Sequence, residues 1–358
     1  MVGIERGLVG GECPYWGCVP SKMMLRAANL LAEARRIPGI AGDASVNPDW
    51  SPVARRIREE ATDDWDDHVA VERFEGKSGR FVRGHGRLAG PGRVEVDGQS
   101  FEATKAIVLA TGTGPALPPV PGLSDVPYWT NRDVVEAKDL PRSLVVLGGG
   151  AVGMELAQAY ARFGVEVTVV EALDRVLPLE EPEASEVINS VFRREGIDVY
   201  AGARATKVDR DGERIRVVLH DGRAVAGDRL LVATGRRADL RILGVGSIGL
   251  DEEALTIAVD GHLRAAPGVW AVGDVTGVGA FTHIALYLPA IAVADILGQQ
   301  SDPADYRALP RVTFTDPEVA SVGLTEVEAT RRGLQVRLGP LRCHDLPAAG
   351  STRRATTG

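Results

Sequence analysis

The amino-acid sequence predicts an α/β protein with two nucleotide-binding units of related design and part of a further α+β domain. Three observations support this prediction: a strand, glycine loop, helix and second strand in the middle of the chain, an Ala-Thr-Gly turn that occurs twice, and a change of pattern after residue 305. The composition agrees, because 358 residues, of which 44% are hydrophobic, are enough for two or three domains with buried cores.

The middle of the chain carries the strongest pattern. The apolar run 143–147 predicts a short buried strand, a helix is expected from Met154 to Phe163, and a second strand is expected to end on Glu171. Between the first strand and the helix lies the spacing G-x-G-x-x-G, formed by Gly148, Gly150 and Gly153. Such a unit binds dinucleotides, since its glycines allow a tight turn and let a pyrophosphate approach the helix N-terminus.

The acidic residue at the end of the second strand bears on which dinucleotide is bound. Glu171 follows the glycine loop by about 20 residues, where a carboxylate can accept a hydrogen bond from a ribose 2′-hydroxyl and repels a 2′-phosphate. Its position therefore favours NAD over NADP. Arg175, which lies nearby, keeps NADP open as an alternative.

The same pattern occurs a second time, nearer the N-terminus. Ala110-Thr111-Gly112 and Ala233-Thr234-Gly235 each end an apolar strand, and each follows a segment with strand-like alternation and an Asp-Gly turn. Glu5, at the end of "VGIE", corresponds to Glu171. A glycine loop about 20 residues before Glu5 would complete the first unit, and the chain begins after that point. We therefore expect a fragment that lacks the first strand and glycine loop of this unit.

Two further segments lie beyond the second Ala-Thr-Gly turn. In "GVWAVGDVTG", Gly273 and Asp274 follow an apolar strand, where an aspartate either hydrogen-bonds a cofactor hydroxyl or only forms a turn. The apolar helix that follows is expected to be interrupted at Pro289. After residue 305 the sequence predicts a strand, a turn at Asp316-Pro317, another strand and a helix, with which a new domain begins.

Two of the three cysteines lie close together, in "GGECPYWGCVPSK". Residues at i and i+5 of a regular helix point about 140° apart, so a disulfide between Cys13 and Cys18 needs an irregular helix start. Pro14 suits a first helical turn, and Gly17 gives backbone freedom beside Cys18. The pair alone leaves buried small side chains, zinc ligands and a reducible dithiol open. Zinc is disfavoured, because neither Cys343 nor any of the six histidines lies at ligand spacing near the pair.

Composition and charge exclude several classes of partner. The net charge is −8 and no long Lys/Arg block occurs, so we expect no nucleic-acid partner. No apolar run approaches the roughly 20 residues of a membrane helix, and the N-terminal segment has no secretory pattern, so we expect no membrane association. Three cysteines in so long a chain do not form a disulfide scaffold, and we predict a cytoplasmic protein.

Together these segments resemble the class I pyridine nucleotide–disulfide oxidoreductases, the flavoprotein family of dihydrolipoamide dehydrogenase, glutathione reductase and mercuric reductase. The matching segments follow in order: "VGIE", "GGECPYWGCVPSK", "ATG", the glycine loop, "ATGR", "GD" and "RVTFTDPEVASVGLTE". The resemblance implies two Rossmann-like FAD- and NAD(P)-binding domains, each of three layers, and a homodimer. The implied boundaries are a first FAD-domain segment at 1–125, the NAD(P) domain at 126–243, a second FAD segment at 244–305 and part of an α+β interface domain at 306–358.

The resemblance also implies residue roles, which the pattern alone does not give. Cys18 would lie against the flavin, Cys13 would exchange with a substrate disulfide, and Lys22 would lie near the flavin and pair with Glu155. Electrons would pass from NADH to FAD, then to the cysteine pair and to the substrate. The implied cofactor contacts, beyond the glycine loop and Glu171, are Glu5, Gly11, Lys22, Gly86, Thr111, Gly112, Gly235, Gly273, Asp274 and Thr282.

The chain also departs from the family pattern. The H-P-T-x-x-E element, whose histidine serves the partner subunit as an acid–base group, is not found around His68, His85, His220, His262, His283 or His344. We therefore expect a form truncated at both ends of an FAD-dependent NAD(P)H:disulfide oxidoreductase of the dihydrolipoamide dehydrogenase type, with a small-molecule or protein-bound disulfide as substrate. The alternatives are a mercuric reductase-like or glutathione reductase-like enzyme, or a non-catalytic NAD-binding fragment.

Overall fold

The computed structural model describes residues 1–339. The α-helices, in chain order, are α1 Glu12–Tyr15, α2 Cys18–Arg35, α3 Ser51–Arg56, α4 His68–Glu75, α5 Asn131–Glu136, α6 Ala151–Arg162, α7 Pro182–Arg194, α8 Leu240–Leu243, α9 Thr282–Ile296 and α10 Glu326–Arg331. Single turns of other helical types are Ile57–Ala61, Asp63–Trp65, Leu123–Asp125, Val245–Ile248 and Gly273–Thr276.

The strands are β1 Val2–Glu5, β2 Arg80–Arg83, β3 Gly86–Leu88, β4 Arg93–Val96, β5 Gln99–Glu102, β6 Ile107–Leu109, β7 Gly114–Pro115, β8 Ser143–Leu147, β9 Glu166–Val170, β10 Asp198–Tyr200, β11 Ala205–Asp211, β12 Arg214–Leu219, β13 Ala224–Gly227, β14 Arg229–Val232, β15 Arg236–Arg237, β16 Arg264–Ala266, β17 Val269–Ala271, β18 Pro310–Thr313 and β19 Val319–Val322. The chain divides into two compact units, Met1–Val322 and a second that begins at Gly323. The domain boundaries inferred from the resemblance remain predictions.

A four-stranded parallel sheet, in the order β10-β9-β8-β14, is the centre of the predicted NAD(P)-binding domain. Side chains of a strand alternate between the two faces of a sheet, and β8 shows this directly. Leu144 and Val146 pack with α6 and α7, whereas Val145 and Leu147 pack with the antiparallel meander β11-β12-β13. Helices, parallel sheet and meander therefore form three layers, as the resemblance implies.

The predicted FAD-binding part contains several smaller sheets. The parallel pair β1-β2 includes Glu5 at its end, and β6 pairs in parallel with β17 within the sheet β16-β17-β6. An antiparallel meander, β3-β4-β5, lies between them in the chain. The carboxyl ends of β6 and β17 lead into Thr111 and Gly273. Because parallel strands end at the same edge of a sheet, these two predicted cofactor-binding turns lie on one edge.

A buried arginine fixes the helix of the cysteine segment against the helix of the glycine loop. The Arg162 side chain, at the end of α6, is only 2% exposed. It donates to Glu195 at 2.6 and 3.0 Å, to Asp316 at 2.8 Å and to Asn29 of α2 at 2.5 Å. Ion pairs and hydrogen bonds thus raise the pKa of Arg162, although burial alone would lower it.

The structure corrects several details of the predicted elements, and β9 ends at Val170, directly before Glu171. α6 begins at Ala151 rather than at Met154, because the helix starts directly after Gly150 at its N-cap. α9 runs without interruption from Thr282 to Ile296, with Pro289 inside it. A proline removes one backbone hydrogen bond, and the burial of neighbouring Leu288 and Ile291 holds the flanking turns in place.

The second unit is described only as far as residue 339. Its helix α10 begins after Thr325, whose hydroxyl accepts from the backbone N–H of Glu328 at 3.3 Å. Glu328 also pairs with Arg331 and Arg332, which holds the pKa of its carboxyl well below the usual range, at about 2.

Among residues 1–339, no helix is long and apolar enough to cross a membrane.

Candidate active site

A break in the helix separates the two cysteines. Cys13 lies in the four-residue helix α1, and Cys18 is the first residue of the 18-residue helix α2. Between them, Trp16 ends α1 and Gly17 takes φ −125° and ψ −111°, which is not helical. The irregular helix start that the sequence predicted for a disulfide is therefore present.

One hydroxyl group joins the two cysteines. The Oγ1 atom of Thr282, the first residue of α9, lies 3.1 Å from Cys13 Sγ and 3.2 Å from Cys18 Sγ. The two sulfur atoms are thus neighbours of a single oxygen, and both cysteines are thiols here. Cys13 is half-buried and Cys18 is exposed. A close thiol pair around one hydroxyl favours the dithiol interpretation over packing, and no metal-binding cluster occurs within the described part of the chain.

Burial raises the pKa of the Cys13 thiol, and the neighbouring Cys18 raises it further, while the hydrogen bond from Thr282 lowers it. A raised pKa means that the thiolate forms at higher pH than in the unfolded chain. We expect the alkylation rate of Cys13 by iodoacetamide to rise with a midpoint at higher pH in the folded chain than in the denatured chain. Peptide mass spectrometry over a pH series measures the midpoint in the folded chain and in the denatured chain. An equal or lower midpoint in the folded chain would contradict the burial of Cys13.

An ion pair lies next to the cysteine helix. Lys22 Nζ, one turn along α2 from Cys18, is 2.8 Å from Oε2 of Glu155 on α6. The other carboxylate oxygen of Glu155 accepts from the backbone N–H of Phe314 at 2.8 Å. Lys22 Nζ also lies 4.2 Å from the centre of the Phe314 ring, a cation–π distance. The Glu155 side chain is only 9% exposed, so its contacts fix the position of the Lys22 charge.

The glycine loop has the geometry that dinucleotide binding requires. Gly148 has φ +108°, and an added Cβ would lie 2.3 Å from Ala233 O. A Cβ on Gly153 would lie 2.0 Å from Gly148 O, whereas a Cβ on Gly150 would meet no atom within 4 Å. The first glycine permits the turn, the third permits close packing of helix and strand, and the second leaves open space beside the helix N-terminus.

Glu171 is hydrogen-bonded to the glycine loop. Its buried carboxylate accepts from the backbone N–H groups of Gly149 at 2.6 Å and Leu173 at 2.7 Å. The guanidinium of Arg175 donates instead to Leu177 O at 3.1 Å, with further bonds to Pro178 and Ser185. The negative charge of Glu171 therefore lies at the loop, while the guanidinium of Arg175 is hydrogen-bonded to residues of the following segment.

The predicted flavin-binding residues include open glycine turns. Gly11, Gly112 and Gly235 have positive φ and no atom within 4 Å of an added Cβ, and a Cβ on Gly273 would meet only Ala285, at 3.9 Å. Such turns leave space for a ligand to approach the backbone closely, as flavin contacts at these positions would require. Burial raises the pKa of Asp274, the residue after Gly273, although the charge of Arg236 and the hydrogen bond from Thr113 lower it.

Other predicted contacts have different surroundings. Glu5 Oε1 accepts from the backbone N–H of Gly7 at 2.7 Å. An added Cβ on Gly86 would lie 3.0 Å from Ile4 Cγ2, so this glycine allows β3 to pack against β1. Thr111 lies in the exposed turn after β6.

A polar chain that the sequence analysis missed connects Asp274 to the cysteine segment. Thr113 Oγ1 lies 3.3 Å from Asp274 Oδ2 and accepts from Arg236 Nε at 3.0 Å. Arg236 in turn lies 3.6 Å from Glu12, the residue before Cys13. Arg236 follows the second Ala-Thr-Gly turn directly, so the "ATGR" segment contained a signal for it. No sequence signal indicated the role of Glu12 in this chain or that of Phe314 beside Glu155, because their partners are remote in sequence.

Comparisons with known proteins show the family to which the chain belongs. The chain matches the family model of the pyridine nucleotide-disulphide oxidoreductases over residues 1–292, and the model of that family's dimerisation domain over residues 309–358. The chain belongs to this family. Rossmann-like flavoprotein disulfide reductases are also its structural neighbours, which confirms the predicted fold class.

Three relatives show the range of the likeness. The chain is 33% identical over 362 residues to mercuric reductase from Bacillus cereus, covering 99% of this chain and 57% of that protein. It is 34% identical to dihydrolipoyl dehydrogenase from Chlorobaculum tepidum over 94% of this chain and 73% of that one. The HOCl-induced flavoprotein disulfide reductase RclA from Escherichia coli superimposes with a TM-score of 0.83 at 26% identity, covering 97% of this chain and 77% of RclA. The chain thus spans less than two thirds of the Bacillus cereus relative.

Proposed function

We propose that this chain is the redox-active part of an FAD-dependent NAD(P)H:disulfide oxidoreductase of the dihydrolipoamide dehydrogenase type, in which Cys13 and Cys18 form the reducible pair. The observation that carries the proposal is the Thr282 hydroxyl within 3.2 Å of both sulfur atoms, at a break between two helices. Structural cysteines need no such shared polar neighbour and no helix break.

The proposed reaction follows from the dithiol. The Cys13 thiolate attacks one sulfur of a substrate disulfide, a mixed disulfide forms, and the first substrate thiol leaves. The Cys18 thiolate then attacks Cys13 Sγ, which releases the second substrate thiol and leaves a Cys13–Cys18 disulfide. Two electrons from NADH must restore the dithiol. FAD, when bound, would carry these electrons between the nicotinamide and the cysteines.

Several side chains support these steps. The Thr282 hydroxyl can donate to a thiolate on either sulfur, so it can follow the charge as it moves between Cys13 and Cys18. Lys22, fixed by Glu155, places a positive charge one turn along the helix that begins with Cys18. Gly11, Gly112, Gly273 and Asp274 would hold the flavin nucleotide, and the loop of Gly148, Gly150 and Gly153 would hold the pyridine nucleotide.

The surroundings of the glycine loop support NADH over NADPH. A 2′-phosphate near Glu171 would meet a carboxylate that two backbone N–H groups hold in place. Arg175, the nearby cation, is already engaged by Leu177, Pro178 and Ser185. Tighter binding of NADPH than of NADH would overturn this part of the proposal.

A mercuric reductase-like activity is the second candidate, because several relatives at 31–36% identity carry that name. Such an enzyme would need a further thiol pair, and the chain has one further cysteine, Cys343, which lies outside the described residues. A homodimer is proposed on the match to the dimerisation domain.

The test compares substrates under one assay. The purified chain, supplied with FAD, is mixed with NADH and either oxidised lipoamide, oxidised glutathione or Hg²⁺ held by excess thiol, and NADH loss is followed. We expect turnover with lipoamide above that with the other two. Turnover with Hg²⁺ alone would favour the second candidate. Binding of NADH without turnover on any of the three would favour a non-catalytic NAD-binding protein.

A further inference from the structure

We propose that Arg132 and Asn131 are positioning residues that hold the segment between the two cysteines in the broken-helix form and so favour the Cys13–Cys18 disulfide. This inference rests on the proposed function. It concerns residues of α5, which lies more than a hundred positions away from the cysteines in the sequence.

The first contact holds the backbone at the break. Asn131 Nδ2 donates to the carbonyl oxygen of Trp16 at 2.9 Å and to Glu12 Oε2 at 3.1 Å. Trp16 is the residue at which α1 ends. In a continuous helix this carbonyl would point towards the backbone nitrogen of residue 20, but Pro20 has no N–H to donate. The amide of Asn131 therefore stabilises the break at the residue where it occurs.

The second contact holds side chains at the two ends of α1, the helix that precedes the break. Arg132 Nε donates to Glu12 Oε1 at 3.1 Å, and a second guanidinium nitrogen contacts the same oxygen. The Arg132 guanidinium also lies 5.2 Å from the centre of the Trp16 ring, within cation–π range. Glu12 directly precedes Cys13, so one arginine engages both ends of α1.

A third contact to the same segment comes from a second tryptophan. The Trp65 ring stacks on Trp16 with centroids 5.5 Å apart, and Trp65 Nε1 donates to Tyr15 O at 3.3 Å. Three consecutive residues, Asp63, Asp64 and Trp65, have φ between +49° and +58°. Such left-handed backbone is costly for residues other than glycine, and here it places an indole over the cysteine segment.

These contacts affect the disulfide equilibrium because they order the segment between the cysteines before the bond forms. Formation of the disulfide joins Cys13 Sγ to Cys18 Sγ and releases two protons and two electrons, which an added disulfide accepts to become two thiols. A segment already held in the required form loses less conformational entropy when the bond forms. Without the contacts of Asn131 and Arg132, the dithiol form gains more conformational entropy than the cross-linked disulfide form. The equilibrium therefore moves towards the dithiol.

The experiment measures this equilibrium directly. The chain is equilibrated in mixtures of oxidised and reduced dithiothreitol, quenched with acid, alkylated, and its Cys13–Cys18 disulfide fraction is read by mass. In Arg132→Ala and in Asn131→Ala we expect the equilibrium constant for disulfide formation to fall about threefold to tenfold. Arg132→Lys keeps the charge and should lie between wild type and Arg132→Ala. The α5 capping box of Thr130 and Asp133 is intact in these variants.

Matched controls separate the possible outcomes. Arg26→Ala removes an exposed ion pair with Glu33 on α2 and should leave the equilibrium unchanged. If wild type forms the disulfide and both α5 variants match it within twofold, the positioning role is wrong and the proposed function stands. If wild type forms no Cys13–Cys18 disulfide even in oxidised dithiothreitol, the proposed function fails and the inference with it. Circular dichroism and thermal unfolding verify that each variant is folded, and a misfolded alanine variant is replaced in the comparison by Arg132→Lys.

Discussion

Replacement of Cys13 or Cys18 with serine should lower NADH-dependent disulfide reduction by about a thousandfold or more. A serine hydroxyl cannot form the mixed disulfide at position 13 or resolve it at position 18, so each change removes one essential sulfur. The two variants should differ from each other little, because the residues act as one unit. Steady-state NADH oxidation, with the substrate that wild type prefers, measures the activity of both variants.

The third cysteine supplies the matched control for this experiment. Cys343→Ser removes a thiol and leaves the Cys13–Cys18 pair intact, so its turnover should equal that of wild type. Full activity in Cys13→Ser would show that this residue is not the exchange thiol. A large loss in Cys343→Ser would instead point to a reaction that uses all three cysteines.

Alanine substitutions at two glycines of the same loop should differ in their effect on stability. In Gly153→Ala, the new Cβ would lie 2.0 Å from Gly148 O, so the helix or the turn must move. We expect a loss of roughly 3 kcal/mol in the free energy of unfolding. In Gly150→Ala, the Cβ meets no protein atom and φ is −77°, so stability should change by less than about 0.5 kcal/mol.

The affinity for NADH should fall in Gly150→Ala, although the stability of this variant is unchanged. A methyl group on Gly150 occupies the space beside the helix N-terminus that a pyrophosphate would enter, so the Kd of NADH should rise about tenfold or more in Gly150→Ala. Chemical denaturation and isothermal titration measure stability and affinity separately. A Gly150→Ala variant with the affinity of wild type would show that the nucleotide does not bind over this loop.

Local sequence patterns predicted much of the fold because the elements depend on neighbours in the chain. The strand at 143–147, the glycine loop and the acid at position 171 form one continuous segment, and the structure has them as predicted. The helix through Pro289 was missed for a physical reason. Proline lowers helix propensity locally, and the burial that overrides it depends on the side chains of other segments.

The candidate site could be predicted only in part, because its decisive contacts join remote segments. At this cysteine spacing a disulfide requires the helix break that the structure has, but the hydroxyl between the sulfur atoms comes from Thr282, more than 260 positions along the chain. The resemblance implied the Lys22–Glu155 pair, yet no local pattern indicated the N–H of Phe314 that fixes Glu155. The contacts of Arg132 with Glu12 and Trp16 lie in the same category.

The most direct test of the central claim is a count of thiols before and after NADH. The air-oxidised chain, supplied with FAD, is treated with NADH under anaerobic conditions, denatured, and titrated with a thiol reagent. With a Cys13–Cys18 disulfide that NADH can reduce, one of the three cysteines is free at the start and three are free at the end. A count that NADH leaves unchanged, in a chain that binds both NADH and flavin, would contradict the account.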